Sequence, residues 1–237
     1  MLTAINTDPA PPFISTAEMG RIVPFPALRY CMVSFVMSDY HDGLFAEWGI
    51  PFPAKLHSAV VKRKAEYLAA RYAAQRILQS CGCDGTPGTA PDRSPLWPAG
   101  WRGSLSHSHE WALAVVVPED SGLTPGIDIE FSAPEIMQRT AHLFTTSEEQ
   151  AYLATCPMEA CRAQLITFSA KESLYKALYP VVGRVLDFDA ARVCKIEPVH
   201  QRITLELTRT LSARHIKGSQ IQGYYHLSGD RVITLMA

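Results

Sequence analysis

Apolar positions along the chain fall into short runs whose period changes several times. ALRYCMVSFVM (27–37) is rich in β-formers and predicts a strand. From about Ala54 to Ser80 the chain is rich in alanine and leucine, holds no glycine or proline, and stops before Gly82. That pattern predicts a helix with Leu68, Tyr72 and Ile77 on its apolar side. WALAVVV (111–117) is almost wholly apolar, as in a strand covered on both faces. GIDIE (126–130) alternates and predicts a short strand. Helices are expected near 134–144, 147–155 and 160–179, and strands near 191–197, 202–208, 221–227 and 231–236. Pro9, Pro11, Pro12, Pro24 and Pro26 predict irregular or mobile chain up to about residue 26, and a Gly/Pro-rich loop is expected from Cys81 to about Gly103. The break PEDSGLTP separates two halves, 1–120 and 121–237, each reading as strand material, helix, strand material. No repeat is visible at the level of sequence.

Charge and composition narrow the partners. A net charge of −1 over 237 residues gives no electrostatic reason to expect nucleic acid, so any anion site must be a local basic cluster. No apolar run reaches the roughly 18 residues that span a bilayer. The first residues lack a basic stretch followed by an apolar run, so no secretory signal is expected. Cys31, Cys81, Cys83, Cys156, Cys161 and Cys194 show no disulfide framework. These features predict a cytoplasmic protein with reduced thiols and no membrane association.

Two groups of residues carry candidate chemistry. In GIDIE, Asp128 and Glu130 share one strand face and Ile127 and Ile129 the other. Two like charges side by side repel unless a cation or solvent separates them, and Mg²⁺ prefers carboxylate oxygens. The plainer alternative is an exposed strand edge with solvated acids. In FSAKESLYKAL (168–178), a helical wheel sets Glu172 among Leu165, Phe168, Tyr175 and Tyr179, on a face that should be covered. A covered carboxylate needs a partner. Lys176 one turn on is one candidate, in a pair worth about 0.3–0.5 kcal/mol, and a metal is the other.

The second group is basic. GSLSHSHEW (103–111) offers Gly103 for close backbone approach and Ser104, Ser106 and His107 as short donors. Arg93 lies on the stiff segment before Pro95, Trp97 and Pro98. Arg63, Lys64 and Arg71 cluster on the long helix, and guanidinium suits phosphate; a solvated basic face is the alternative. Cys81, Cys83, His107 and His109 form a competing zinc reading, with looser spacing than common structural patterns.

Together, GSLSHS, GIDIE and FSAKESLYKAL resemble the 4′-phosphopantetheinyl transferase superfamily, in its single-chain surfactin- and enterobactin-type branch. The family shows a G-[IV]-D-[IV]-E strand and, some forty residues later, a [WF]-[ST]-x-K-E-[SA]-x-x-K helix. The P-x-W-P-x-G run (95–100) also fits, and the resemblance extends from about Lys62 to Lys176. It implies an α+β fold of two similar halves related by a pseudo-twofold, with coenzyme A in the cleft between them. It implies that Asp128, Glu130 and Glu172 bind Mg²⁺ and that Lys176 contacts the phosphates. Ser106 and His107 would hold phosphates of coenzyme A, His107 the 3′-phosphate, and Arg63, Arg71 and Arg93 would grip the nucleotide end. Glu148 matches an acidic position tied to catalysis, with Glu149 adjacent. Phe168 stands where many relatives carry Trp. The implied reaction moves phosphopantetheine from coenzyme A to a serine of an apo acyl or peptidyl carrier protein, catalysed by a monomer. A non-catalytic coenzyme A-binding module and a Mg²⁺-dependent coenzyme A phosphodiesterase are the rivals.

Overall fold

Proline punctuates the start of the chain without preventing strands. A computed structural model describes residues 1–7 and 10–237, so Pro9 lies outside the described residues. Contacts divide these residues into two units, Met1–Leu123 and Thr124–Ala237.

The first unit holds β1 (Leu2–Thr7), β2 (Ile14–Ile22), β3 (Phe25–Phe35), a short α1 (Gly43–Glu47) and α2 (Val61–Ser80). A small hairpin of β4 (Gly88–Thr89) and β5 (Pro95–Leu96) follows, then β6 (Trp101–Ser108) and β7 (Trp111–Pro118). The large sheet is antiparallel, in the order β1-β2-β3-β7-β6. One face packs on α2: Cys31, Val33, Ala112, Ala114 and Val116 meet Leu68, Ala69, Tyr72, Ala73 and Ile77.

Three expectations are corrected here. The segment read as irregular up to about residue 26 forms β1, β2 and the start of β3. Pro11 and Pro12 fall in the connection between β1 and β2, and Pro24 in the turn before β3, where no ladder donor is lost. Register shifts in the β2–β3 pairing hide the period of two: the buried residues of β2 are Ile14, Ala17, Gly20 and Ile22. The long helix begins at Val61 because Val60 is extended; residues 54–56 make only a single 3₁₀ turn. The segment 81–103, expected as loop, contains the β4–β5 hairpin and the first part of β6.

The second unit holds β8 (Gly126–Phe131), α3 (Pro134–Phe144), α4 (Ser147–Ala154), α5 (Ala160–Val182), β9 (Ala191–Glu197), β10 (Arg202–Leu207), β11 (Gln220–Ser228) and β12 (Arg231–Met236). The antiparallel order is β8-β12-β11-β10-β9. Local chemistry sets the helix ends. Pro134 occupies the first position of α3, where its missing N–H costs nothing. Thr146 and Glu149 form a capping box on α4. Gly183, at φ 64°, closes α5 by donating to the Tyr179 carbonyl. Each unit thus sets a long helix on a five-stranded antiparallel sheet, the α+β class read from the sequence.

Candidate active site

Gly126, Asp128 and Glu130 alternate along β8 and share a face. That face meets α5. A Cβ at Gly126 would overlap the Ser173 carbonyl oxygen and come to 2.5 Å of the Ala177 nitrogen. Only glycine lets the α5 backbone lie this close, and the approach brings α5 side chains onto Asp128. Gly126→Ala is therefore expected to destabilise the fold by about 3 kcal/mol, read as a lower urea midpoint. An unchanged midpoint would mean that α5 can shift freely over β8.

Asp128 is 3% exposed. Lys176 Nζ donates to its Oδ1 at 2.7 Å and to the Ile127 carbonyl at 3.0 Å. Ser169 Oγ donates to its Oδ2 at 2.8 Å. Beneath it runs a polar ladder between α5 and β12: Thr234 Oγ1 lies 2.9 Å from Ser169 Oγ and 2.7 Å from Ser173 Oγ. Thr234 is the β12 register partner of Asp128. Glu172, partly buried on α5, has its carboxyl pushed above the usual range by burial, against the pull of Lys176 and with the push of Asp128. It also lines a largely apolar cavity of about 170 Å³ with Lys171, Tyr175, Leu178, Leu186 and Phe188.

Lys171 and Glu149 hold this helix in place. Lys171 Nζ donates to Glu149 Oε1 at 2.8 Å and to the Phe144 and Phe188 carbonyls at 2.8 and 3.1 Å. Glu149 also accepts from Val193 N at 2.7 Å. The adjacent Glu148 is exposed and contributes a Coulombic interaction with Arg192.

In the first unit, Arg63, Arg71, Arg93 and His107 line one groove of about 790 Å³, with Lys55 and Tyr67. Arg71 is 6% exposed. Its guanidinium donates to the Pro87 and Gly88 carbonyls at 2.9 and 3.0 Å and stacks over Tyr67, so it clamps the β4–β5 hairpin onto α2. Arg93, at φ 75°, occupies the tight turn of that hairpin. Arg63 Nη1 lies 2.8 Å from His107 Nε2. Ser106 alternates with His107 along β6; it is buried and does not line the groove. Space at Gly103, read as room for a ligand, is taken by the Trp97 ring, whose Cη2 would stand 2.6 Å from a Cβ there.

The structure thus unites Asp128, Glu172 and Lys176 in one unit, and Arg63, Arg71, Arg93 and His107 in the other. Glu130 lies on the same strand face as Asp128, two residues on. Sequence reasoning missed Ser169, Ser173 and Thr234. The available signal was Ser169 and Ser173 one turn apart on a helix whose neighbouring positions are apolar. Among the described residues, no three His, Cys, Asp or Glu side chains are grouped to hold a metal ion. The Asp128 carboxylate is occupied instead by an ammonium and a hydroxyl. Carboxylate oxygens are the donors a hard cation takes, so Asp128 and Glu172 are the residues here that could hold one, with Glu130 two positions on from Asp128.

A basic groove of about 790 Å³ on the first unit and a carboxylate–lysine centre on the second are features suited to anionic groups. The family described as 4′-phosphopantetheinyl transferase N-terminal domain matches residues 52–117, and the 4′-phosphopantetheinyl transferase superfamily matches residues 124–235. Enterobactin synthase component D of Salmonella typhi is 34% identical over 216 residues, 91% of this chain and 88% of the relative. Its Salmonella typhimurium counterpart is 36% identical over 220 residues, with the same coverage. The 4′-phosphopantetheinyl transferase PptT of Mycobacterium tuberculosis is 31% identical over 136 residues, 57% of this chain and 60% of the relative. The chain belongs to the 4′-phosphopantetheinyl transferase superfamily. It is a transferase, and its reaction moves phosphopantetheine from coenzyme A to a carrier protein.

Proposed function

We propose that this reaction is Mg²⁺-dependent, with Asp128 and Glu172, joined by Glu130, holding the ion, and Lys176 turning from Asp128 to the phosphates. The observation that carries the reading is the contact of α5 with β8 at Asp128, where Lys176, one turn from Glu172, is bound to the carboxylate at 2.7 Å. When bound, the ion would neutralise charge on the pyrophosphate. The carrier serine Oγ attacks the β-phosphorus, the bond from that phosphorus to the bridging oxygen breaks, and adenosine 3′,5′-bisphosphate leaves. Glu172 takes the serine proton; it shares its helix with Lys176, whereas exposed Glu148 sits on α4 near Arg192. Lys176 stabilises the charge that collects on the leaving phosphate.

The groove of the first unit receives the nucleotide end. Arg63, Arg93 and His107 supply donors there, while Arg71 acts by holding the hairpin that carries Arg93 in its turn. The apolar cavity beside Glu172 suits the uncharged pantetheine arm. The chain acts as a cytoplasmic monomer on apo acyl or peptidyl carriers of siderophore, peptide or polyketide synthesis. Among the described residues, no helix is long and apolar enough to cross a membrane.

Incubation with coenzyme A and Mg²⁺, with and without an apo-carrier, tests this reading by intact mass. Carrier-dependent gain of phosphopantetheine is expected. Hydrolysis without carrier would favour a phosphodiesterase, and binding without product a non-catalytic module. His107→Ala is expected to raise the KM for coenzyme A about tenfold, the loss of a charge-assisted hydrogen bond, with little change for dephospho-coenzyme A. Equal losses for both ligands would remove His107 from the 3′-phosphate.

A further inference from the structure

Glu66 is a carboxylate on α2 that the proposed reaction leaves without a role. It is 8% exposed, and burial raises its carboxyl above the usual range while Lys62 and Arg63 pull it down. Lys62 Nζ and Arg63 Nη1 each stand 3.9 Å from one of its oxygens. Its Oε2 lies 3.7 Å from His107 Nδ1. Arg63 Nη1, 3.9 Å from that same Glu66 oxygen, is 2.8 Å from His107 Nε2, so the three groups form one cluster. A guanidinium nitrogen can only donate, so Nε2 accepts. In the neutral ring the proton then sits on Nδ1, the nitrogen 3.7 Å from Glu66 Oε2, a separation for charge attraction and not for a hydrogen bond.

We infer that Glu66 is a positioning residue: its carboxylate, 3.7 Å from Nδ1, favours the His107 imidazolium when a phosphate draws Arg63 away from Nε2. In that exchange the phosphate accepts from Arg63, Nε2 takes one proton from solvent, and the new N–H donates to the phosphate. The charges around His107 set the balance. Arg63 on α2 and, across the groove, Arg93 and Lys55 oppose a further positive charge. Arg71 lines the same groove with its guanidinium bonded to backbone carbonyls. Glu66 is the opposing negative charge, and a terminal phosphate adds to it. The His107 share of phosphomonoester binding should therefore weaken as pH rises through the imidazole range, while the second ionisation of the ester, at about pH 6, works the other way and is common to wild type and variants; a ligand without a phosphomonoester should show neither effect. The ligand half of this inference rests on the proposed role of His107; the effect of the Glu66 charge on the ring does not.

The test uses the whole chain and two variants, Glu66→Gln and Glu66→Ala. NMR titration of His107 in the free protein should show its midpoint lowered in both by about 0.7 unit, the effect of losing one opposite charge about 4 Å away in a water-like dielectric. At about pH 8 the KM for coenzyme A should rise about fivefold in both variants and return toward wild type near pH 5.5, with the KM for dephospho-coenzyme A unmoved. An unchanged His107 midpoint in both variants overturns the inference. A lowered midpoint with equal KM changes for the two ligands, in these variants and in His107→Ala alike, overturns the phosphate role and leaves the Glu66 charge acting on the ring.

Discussion

Glu172→Gln is expected to lower kcat by about 10³-fold while raising the melting temperature of the metal-free protein. Both effects come from removing one negative charge: the rate loses the proposed ion ligand and base, and the metal-free fold loses a burial penalty. Burial disfavours the charged form of Glu172, and the charge of Asp128 adds to the penalty beyond what Lys176 offsets. A carboxyl whose folded pKa lies above its unfolded value costs stability once it ionises. The cost is absent at low pH and grows as pH rises past the unfolded pKa, reaching its full size above the folded one. Glutamine keeps the volume and removes the charge, so the metal-free fold gains at neutral pH and the gain disappears in acid. Thermal scans at neutral and acid pH, beside a carrier-modification assay, check both halves. Loss of activity with a lowered melting temperature would mark Glu172 as structural, and full turnover would remove it from the centre.

The second large effect is expected at Lys176. Its ammonium is bound to Asp128 Oδ1 and to the Ile127 carbonyl, and its side chain remains 24% exposed, so it is anchored yet able to turn toward a ligand. On the proposed mechanism Lys176→Ala should cost about 10²–10³-fold in kcat because charge on the leaving phosphate loses an ammonium that would stabilise it beside the ion. The KM for coenzyme A should move less, since the groove in the first unit keeps Arg63, Arg93 and His107. Arginine should rescue poorly: its planar fork does not reproduce a point charge shared by a carboxylate oxygen and a carbonyl. Single-turnover kinetics separate these outcomes. A change confined to KM would make Lys176 a binding residue only.

What could be read from the chain followed from how local each signal was. β8 and α5 carry their period and their charged residues within a dozen positions, so each element was legible before any fold; that Asp128 and Glu172 belong to one site followed only from the resemblance to the family. The ladder of Ser169, Ser173 and Thr234 was not legible, because it needs a strand more than sixty residues away in sequence to complete it. Glu148 and Glu149 could not be told apart by spacing. Burial separates them: Glu149 is spent on Lys171, the cap of α4 and Val193, and Glu148 faces solvent. Arg71 looked like a ligand-binding arginine, and its charge matched; its donors turned out to serve backbone carbonyls 87 and 88. β2 escaped because its bulged register breaks the alternation by which strands are recognised.

The ion site itself is tested by titrating Mn²⁺, as a paramagnetic substitute for Mg²⁺, into the protein with coenzyme A present and following the free-ion EPR signal. Wild type should remove Mn²⁺ from solution at a single site that Asp128→Asn and Glu172→Gln each abolish. Binding that persists at wild-type strength in both variants would mean that the strand and helix carboxylates do not share a cation.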